Sequence, residues 1–220
     1  MAHSISSIVE HTDHMMYSTD WIYGYRPFGY YQGDGMMPSQ ALKTVSQLGA
    51  VRYIDLPTNT EMPDVKKIVS SRLPELKELA AKKRAFKYAR LYSIQQIKEA
   101  IYTSKSPILI CINIGVNGLR LNNGIAEIPT ATDGGHALMC YGWDKNGLLI
   151  QNSWGRAWGK NGCFILPYDY PFTEAWAVSF SNDNVIVKPT CYDLREFLVK
   201  LGRAIAAFFK GLFNKKEKTK

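Results

Sequence analysis

At residue 107 the apolar pattern of this chain changes period, and that change limits the folds open to it. Before that point the spacing is helical. Ala2, Ile5, Ile8 and Val9 share one helical face within residues 2–11. Pro38 and Ser39 open a second helix with Ala41, Leu42, Val45 and Leu48 on one side, and Gly49 stops it. Residues 64–86 read as charged helix, broken or restarted at Pro74. Ser93 and Gln96 form a capping-box pattern for a helix to about Ile101. Residues 17–37, rich in Tyr, Gly and Met, and residues 54–63, with two prolines, read as irregular. From residue 107 onward the pattern is that of strands. Residues 107–114 (PILICINI) are a β-branched apolar run, the mark of a buried strand. Residues 136–142 and 147–152 predict two strands joined by a turn at residues 144–147, and residues 162–167 and 175–180 predict two more. Helices first and antiparallel strands after predict an α+β fold of two lobes, helical then β-sheet, rather than a βαβ fold.

Composition removes several other classes. With 220 residues, 46% hydrophobic and 21% charged, the chain is one globular domain or one domain with an appendage. Four Cys are too few for a disulfide scaffold. No run reaches the ~18 apolar residues of a membrane span, and the residues after Met1 do not read as a signal peptide. The formal charge is +8, and it is local: residues 191–220 carry eight Lys or Arg against three acidic residues, a net +5 that leaves +3 for residues 1–190. A body so mildly basic is not expected to bind nucleic acid. In the tail, Leu194, Phe197, Leu198, Leu201, Ile205 and Phe208 recur at helical spacing among basic residues. That is a basic amphipathic helix, suited to an anionic membrane surface or a protein partner, unless its apolar face packs back on the body.

Two strings carry chemistry, GGHAL at residues 134–138 and QNSWGRAWG at residues 151–159. His136 and Asn152 are 16 residues apart, on strands expected to be neighbours. An Asn oxygen beside one ring nitrogen fixes the imidazole tautomer and leaves the other nitrogen to take a proton from a nucleophile. Gly134 and Gly135 would let another segment pack close to the His, and Trp154 could shield the His–Asn contact from water. Cys111, Cys140, Cys163 and Cys191 read as buried or incidental thiols, since none opens a helix. His11 and His14 lack further ligands at useful spacing, so no metal site is expected.

GGHA followed by QNSWGxxWGxxG, completed by Gly162, resembles the second half of the papain-like cysteine peptidases. Residues 107–110 (PILI) resemble the strand before the family's His, and residues 35–41 (GMMPSQA) through Gly49 resemble its cleft segment and following helix. The resemblance implies a two-lobed papain-like fold, a Cys-His-Asn triad with a Gln in the oxyanion hole, a peptide or protein substrate, and no metal or organic cofactor. It makes His136 the general base and acid, Asn152 its orienting partner and Trp154 their cover. Gly35 resembles the cleft glycine whose backbone pairs with an extended peptide. Met36 and Met37 would lie near the pocket for the substrate's second side chain, and Gly135 would border the substrate.

The family's nucleophile string has no counterpart here. Aligned on Ala2 and Ser4, the catalytic Cys falls immediately before Met1. The family His and Asn lie ~130–150 residues after that Cys, and here they stand at 136 and 152. The expectation is a papain-like peptidase domain over residues 1–190, lacking its N-terminal strand and Cys segment, followed by the tail at 191–220. Its function is peptide-bond hydrolysis with the nucleophile outside this chain. The alternative is a catalytically dead papain-like fold that binds peptides or a partner.

Overall fold

The computed structural model describes Ile5 and residues 16–26, 35–58, 62–82 and 86–180. The chain divides into two compact units, Met1–Ile186 and Val187–Lys220. The second unit, with the expected tail helix, lies outside the described residues, as do His11, His14, Cys191 and all of the expected first helix except Ile5.

Four helices come first: α1 (Thr19–Gly24), α2 (Pro38–Leu48), α3 (Met62–Ser71) and α4 (Leu73–Ala81). After them run β1 (Phe86–Leu91), α5 (Ile94–Ser104), β2 (Ile108–Gly115), β3 (Leu121–Asn122), β4 (Ile125–Ala126), β5 (Thr132–Trp143), β6 (Gly147–Gln151), β7 (Cys163–Pro167) and β8 (Phe172–Phe180). The strands form one sheet in the order β1-β8-β2-β5-β6-β7-β4-β3. Among the described residues no helix is long and apolar enough to cross a membrane.

Two hydrophobic clusters lie on opposite faces of this sheet. On one face Leu109, Cys111, Ala137 and Met139 join Trp21, Leu42, Val45, Val69 and Leu76 of the first four helices. On the other, Ile108, Ile110, Ile112, Leu138 and Ala175 join Ile97 and Ile101 of α5 and Leu148, Ile150 and Phe164 of the outer strands. Residues 108–112 are therefore buried on both sides, which is why they read as an unbroken apolar run rather than an alternating one. This helix-then-sheet arrangement is the expected two-lobed α+β fold, with two corrections. The sheet is not wholly antiparallel, because β4 pairs with β7 in parallel at Ile125 and Ile165. Nor is it confined to the C-terminal half, because β1 arises between helices and pairs with β8 from Phe86 opposite Phe180 to Leu91 opposite Ala175.

Local chemistry explains the elements. Segment 17–37 is not wholly irregular: Ser18 caps α1 by accepting from the Trp21 N–H at 3.2 Å. The indole of Trp21 then donates to the Gly49 carbonyl at 2.9 Å, tying α1 to the end of α2. Pro74 stands in the first turn of α4, so the charged segment restarts as a new helix there. Ser93 caps α5 through the Gln96 N–H at 3.2 Å, while Gln96 Oε1 reaches back to the Tyr92 N–H at 2.7 Å. The helix runs to Ser104, past the expected Ile101, and ends at Lys105 in the left-handed region.

Candidate active site

The site grows out of the β5–β6 hairpin. Its turn is closed by Asp144, whose N–H donates to the Gly147 carbonyl at 2.9 Å. The Asp144 carboxylate accepts from the N–H groups of Asn146 at 2.7 Å and Gly147 at 3.1 Å. Antiparallel pairing sets Met139 opposite Gln151. His136 lies further along β5, opposite Ile112 of β2, and Asn152 directly follows β6. The Asn152 N–H donates to the Gly162 carbonyl at 2.8 Å, which holds the loop after β6 against the start of β7.

Across this hairpin His136 Nε2 and Asn152 Oδ1 are 2.9 Å apart. The Ser153 N–H also donates to Asn152 Oδ1, at 2.8 Å, and only an oxygen can accept it. The carboxamide orientation is therefore set by the backbone. His136 must carry its proton on Nε2, and Nδ1 keeps its lone pair. Asn152 is buried, and its Nδ2 has no partner among the described residues. Burial pushes the His136 pKa below its ordinary value, against the opposing pull of the Asn152 bond. A neutral imidazole with one free nitrogen is a proton acceptor near neutral pH.

Trp154 lies over the imidazole, with ring centroids 4.8 Å apart and planes tilted by 32°. It is 42% exposed, so it stands between the His136–Asn152 pair and solvent rather than inside the core. Trp158 meets Trp154 edge-on at 5.2 Å, and Phe164 meets Trp158 edge-on at 5.4 Å. The part played by Trp158 went unassigned from sequence, where its only signal is the second Trp of QNSWGRAWG. The loop depends on Gly159, which has φ +58°; a Cβ there would lie 2.7 Å from the Cys163 carbonyl oxygen.

The residues expected to meet substrate are spread over two segments. The Gly35 carbonyl accepts from Arg26 Nη1 at 2.7 Å. Met36 packs against the helical-side core, while Met37 is 49% exposed at the start of α2. Among the described residues, a Cβ at Gly35, Gly134 or Gly135 would meet nothing within 4 Å.

Three cysteines are described, all of them free. Burial pushes the thiols of Cys111 and Cys140 up to about 12. Cys140 Sγ turns to the Gly142 carbonyl at 3.5 Å, and Cys163 Sγ faces the Asn161 carbonyl at 4.0 Å. None hydrogen-bonds His136. Among the described residues no three His, Cys, Asp or Glu side chains stand together as a metal site.

Over residues 28–171, well over half of its length, the chain matches the papain family cysteine proteases. The chain belongs to that family. It is 39% identical over 62 residues to an uncharacterized peptidase C1-like protein of Acanthamoeba polyphaga mimivirus, covering 26% of this chain and 20% of that protein. It is 29% identical over 106 residues to mexicain of Jacaratia mexicana, covering 48% of this chain and 49% of mexicain. The chain thus spans a fifth and about half of the lengths of these curated relatives. Among solved structures, xylellain, a cysteine protease from Xylella fastidiosa, superposes with a TM-score of 0.69 at 21% identity, over 82% of this chain and 79% of that one. The bromelain protease from Ananas comosus gives 0.56 at 17% identity, over 81% and 85%. At such identities these structures share the fold.

Proposed function

We propose that this chain carries the base half of a thiol peptidase site, with His136 as general base and acid and Asn152 as its orienting partner. The supporting observation is the 2.9 Å His136–Asn152 bond, with its oxygen oriented by the Ser153 N–H. The nucleophile is a Cys preceding Ala2 in the natural polypeptide, as the resemblance at Ala2 and Ser4 implies. Nδ1 of His136 takes the thiol proton, and the imidazolium is held by Asn152. The thiolate attacks the scissile carbonyl. The C–N bond breaks as His136 returns the proton to the leaving amine, and a water deprotonated by His136 then hydrolyses the thioester. Trp154 keeps competing water from the His136–Asn152 bond. Gly35 pairs with an extended peptide or protein substrate, flanked by Met36, Met37 and Gly135.

The test is the reading frame upstream of Met1 together with labelling by a thiol-directed epoxide. The expected result is an adduct on a Cys directly before Ala2, read by intact mass and peptide mapping. A second reading has its own support: burial pushes two of the described thiols up to about 12, and none of the three hydrogen-bonds His136. If an in-frame stop lies directly before Met1, or a verified full-length product takes no epoxide, the same cleft acts as a binding module for peptides or a partner.

A further inference from the structure

We infer that Arg26 is a positioning residue for the bound peptide. Its guanidinium holds the Gly35 carbonyl turned so that the oxygen's second lone pair receives an N–H of the ligand. The inference rests on the reading of Gly35 as a residue that pairs with an extended peptide, and it adds the side chain that sets that pairing.

Gly35 on its own is a poorly fixed partner. It is exposed, and among the described residues a Cβ there would meet nothing within 4 Å. Glycine also has more backbone freedom to lose than any other residue. Met36 packs against the helical-side core, and Pro38 opens α2 just beyond it. Those contacts fix where the segment lies. They leave open the plane of the Gly35–Met36 peptide bond, which turns about ψ of Gly35 and φ of Met36.

Arg26 supplies that constraint. Its Nη1 donates to the Gly35 carbonyl oxygen at 2.7 Å, across nine residues of sequence. A hydrogen bond from a charged donor is shorter and stronger than one between neutral groups. The donor is itself held in place. The Arg26 N–H donates to the Tyr23 carbonyl at 3.3 Å, and the guanidinium carbon lies 4.4 Å from the centre of the Tyr23 ring. Tyr23 packs against the same core as Met36, and Trp21 ties α1 to the end of α2 through the Gly49 carbonyl. The line of support to the Gly35 oxygen therefore runs from the core through α1, Tyr23 and Arg26. A carbonyl oxygen has two lone pairs, so the bond from Arg26 leaves one for the ligand.

The test uses the full chain and the fluorescein-labelled pentapeptide Ala-Leu-Ala-Ala-Ala, read by anisotropy. Four analogues each carry an ester in place of one backbone amide, which removes a single N–H. In the native chain one analogue should bind about fivefold weaker than the parent, the effect of one hydrogen bond. Arg26→Met keeps an apolar stem on the Tyr23 ring and removes every donor. It should bind the parent about fivefold weaker, and the same ester should then cost little more, because the two losses are coupled. Arg26→Lys restores a charged donor and should recover much of both effects. The carbonyl carbon signal of Gly35, read by NMR in the unliganded chains, should move in Arg26→Met, and thermal melts check that the variants fold. If Arg26→Met does not fold, Arg26→Gln takes its place, with effects in the same direction and smaller. An ester penalty as large in Arg26→Met as in the native chain overturns the assignment and leaves Arg26 a loop closure alone. Parent binding unchanged in Arg26→Met overturns it as well. If no ester weakens binding to the native chain, the pairing at Gly35 falls, and if the parent does not bind at all, the peptide-site reading falls with it.

Discussion

Trp158 meets Trp154 edge-on with ring centroids 5.2 Å apart, and Trp154 lies over His136 at 4.8 Å. Trp158 is in turn braced at 90° against Phe164 of β7, so the imidazole is supported through two indoles by the sheet itself. Such T-shaped contacts add to the area they bury and fix orientation as well.

Removing the middle ring should therefore act at a distance. Trp158→Ala should cost about 3 kcal/mol, within the range of large aromatic truncations, measured by chemical denaturation. Trp154 loses its support, water reaches His136, and the imidazole pKa climbs back toward its ordinary value. An NMR titration of the His136 Cε1 proton reads this. A destabilised variant with an unmoved His136 titration would confine Trp158 to packing.

Substitutions at Asn152 should move the same titration in opposite directions. Asn152→Asp places a carboxylate where the carboxamide oxygen now stands, 2.9 Å from Nε2, and should raise the His136 pKa. Asn152→Ala removes the bond that opposes burial, so the pKa should fall further. It also removes the acceptor of the Ser153 N–H and should cost about 0.5–1.5 kcal/mol. Equal titrations in the two variants would mean that the Asn152 bond does not set the imidazole's charge state.

The lowered pKa of His136 also has a consequence for stability. The unfolded chain takes up this proton first, near the ordinary value of 6.5, while the folded ring still resists it. The contribution is fully present above that pH and is lost as pH falls through it toward the folded pKa. Thermal melts should show a drop in Tm on acidification, and His136→Gln, whose amide can still donate to Asn152, should flatten that part of the curve. An unchanged slope in His136→Gln would assign the acid sensitivity to other groups.

What could be read in advance depended on how local each interaction is. His136 and Asn152 flank one hairpin with a strong turn signal, so their meeting follows from spacing. β2 was legible because burial on both faces leaves an uninterrupted apolar run. α1 was hidden because six residues give no helical period, and its capping Ser18 lies in a Tyr- and Gly-rich stretch. β1 was hidden because its partner, β8, lies at the far end of the sheet-forming chain, so no hairpin turn marks it. The parallel β4–β7 contact rests on one residue pair, and no sequence pattern announces that. The bulge between Cys111 and Ile112, which leaves Thr173 out of the β2–β8 pairing, is likewise announced by no sequence pattern.

Thiol chemistry should separate the described cysteines. With their thiols pushed up to about 12 and their side chains buried, Cys111 and Cys140 are almost wholly protonated near pH 8. Cys163 is only half-buried. In a Cys191→Ser background, iodoacetamide should modify Cys163 in the folded protein and reach the other two only after denaturant is added. Peptide mapping by mass reads the outcome, and fast native labelling of Cys140 would mean that its strand opens readily.

The spacing of β6 and β7 at the turn should be intolerant of even one methyl group. A Cβ on Gly147 would lie 2.2 Å from the Leu166 carbonyl oxygen and 2.8 Å from its carbon, both backbone atoms that cannot swing aside. Gly147→Ala should therefore push the two strands apart where the hairpin carrying Asn152 is closed, at a cost of about 1–3 kcal/mol. Gly142→Ala is the matched control. Its Cβ would meet the Leu149 Cδ1 at 3.5 Å, an ordinary contact with a flexible tip, and should change stability by less than about 0.5 kcal/mol. Because Asn152 follows β6 directly, Gly147→Ala should also weaken the His136–Asn152 bond, shifting the His136 titration as Asn152→Ala does. Denaturation midpoints and the His136 titration of both variants check this, and a Gly147→Ala protein matching the control in both would show that the two strands are not held at this separation in solution.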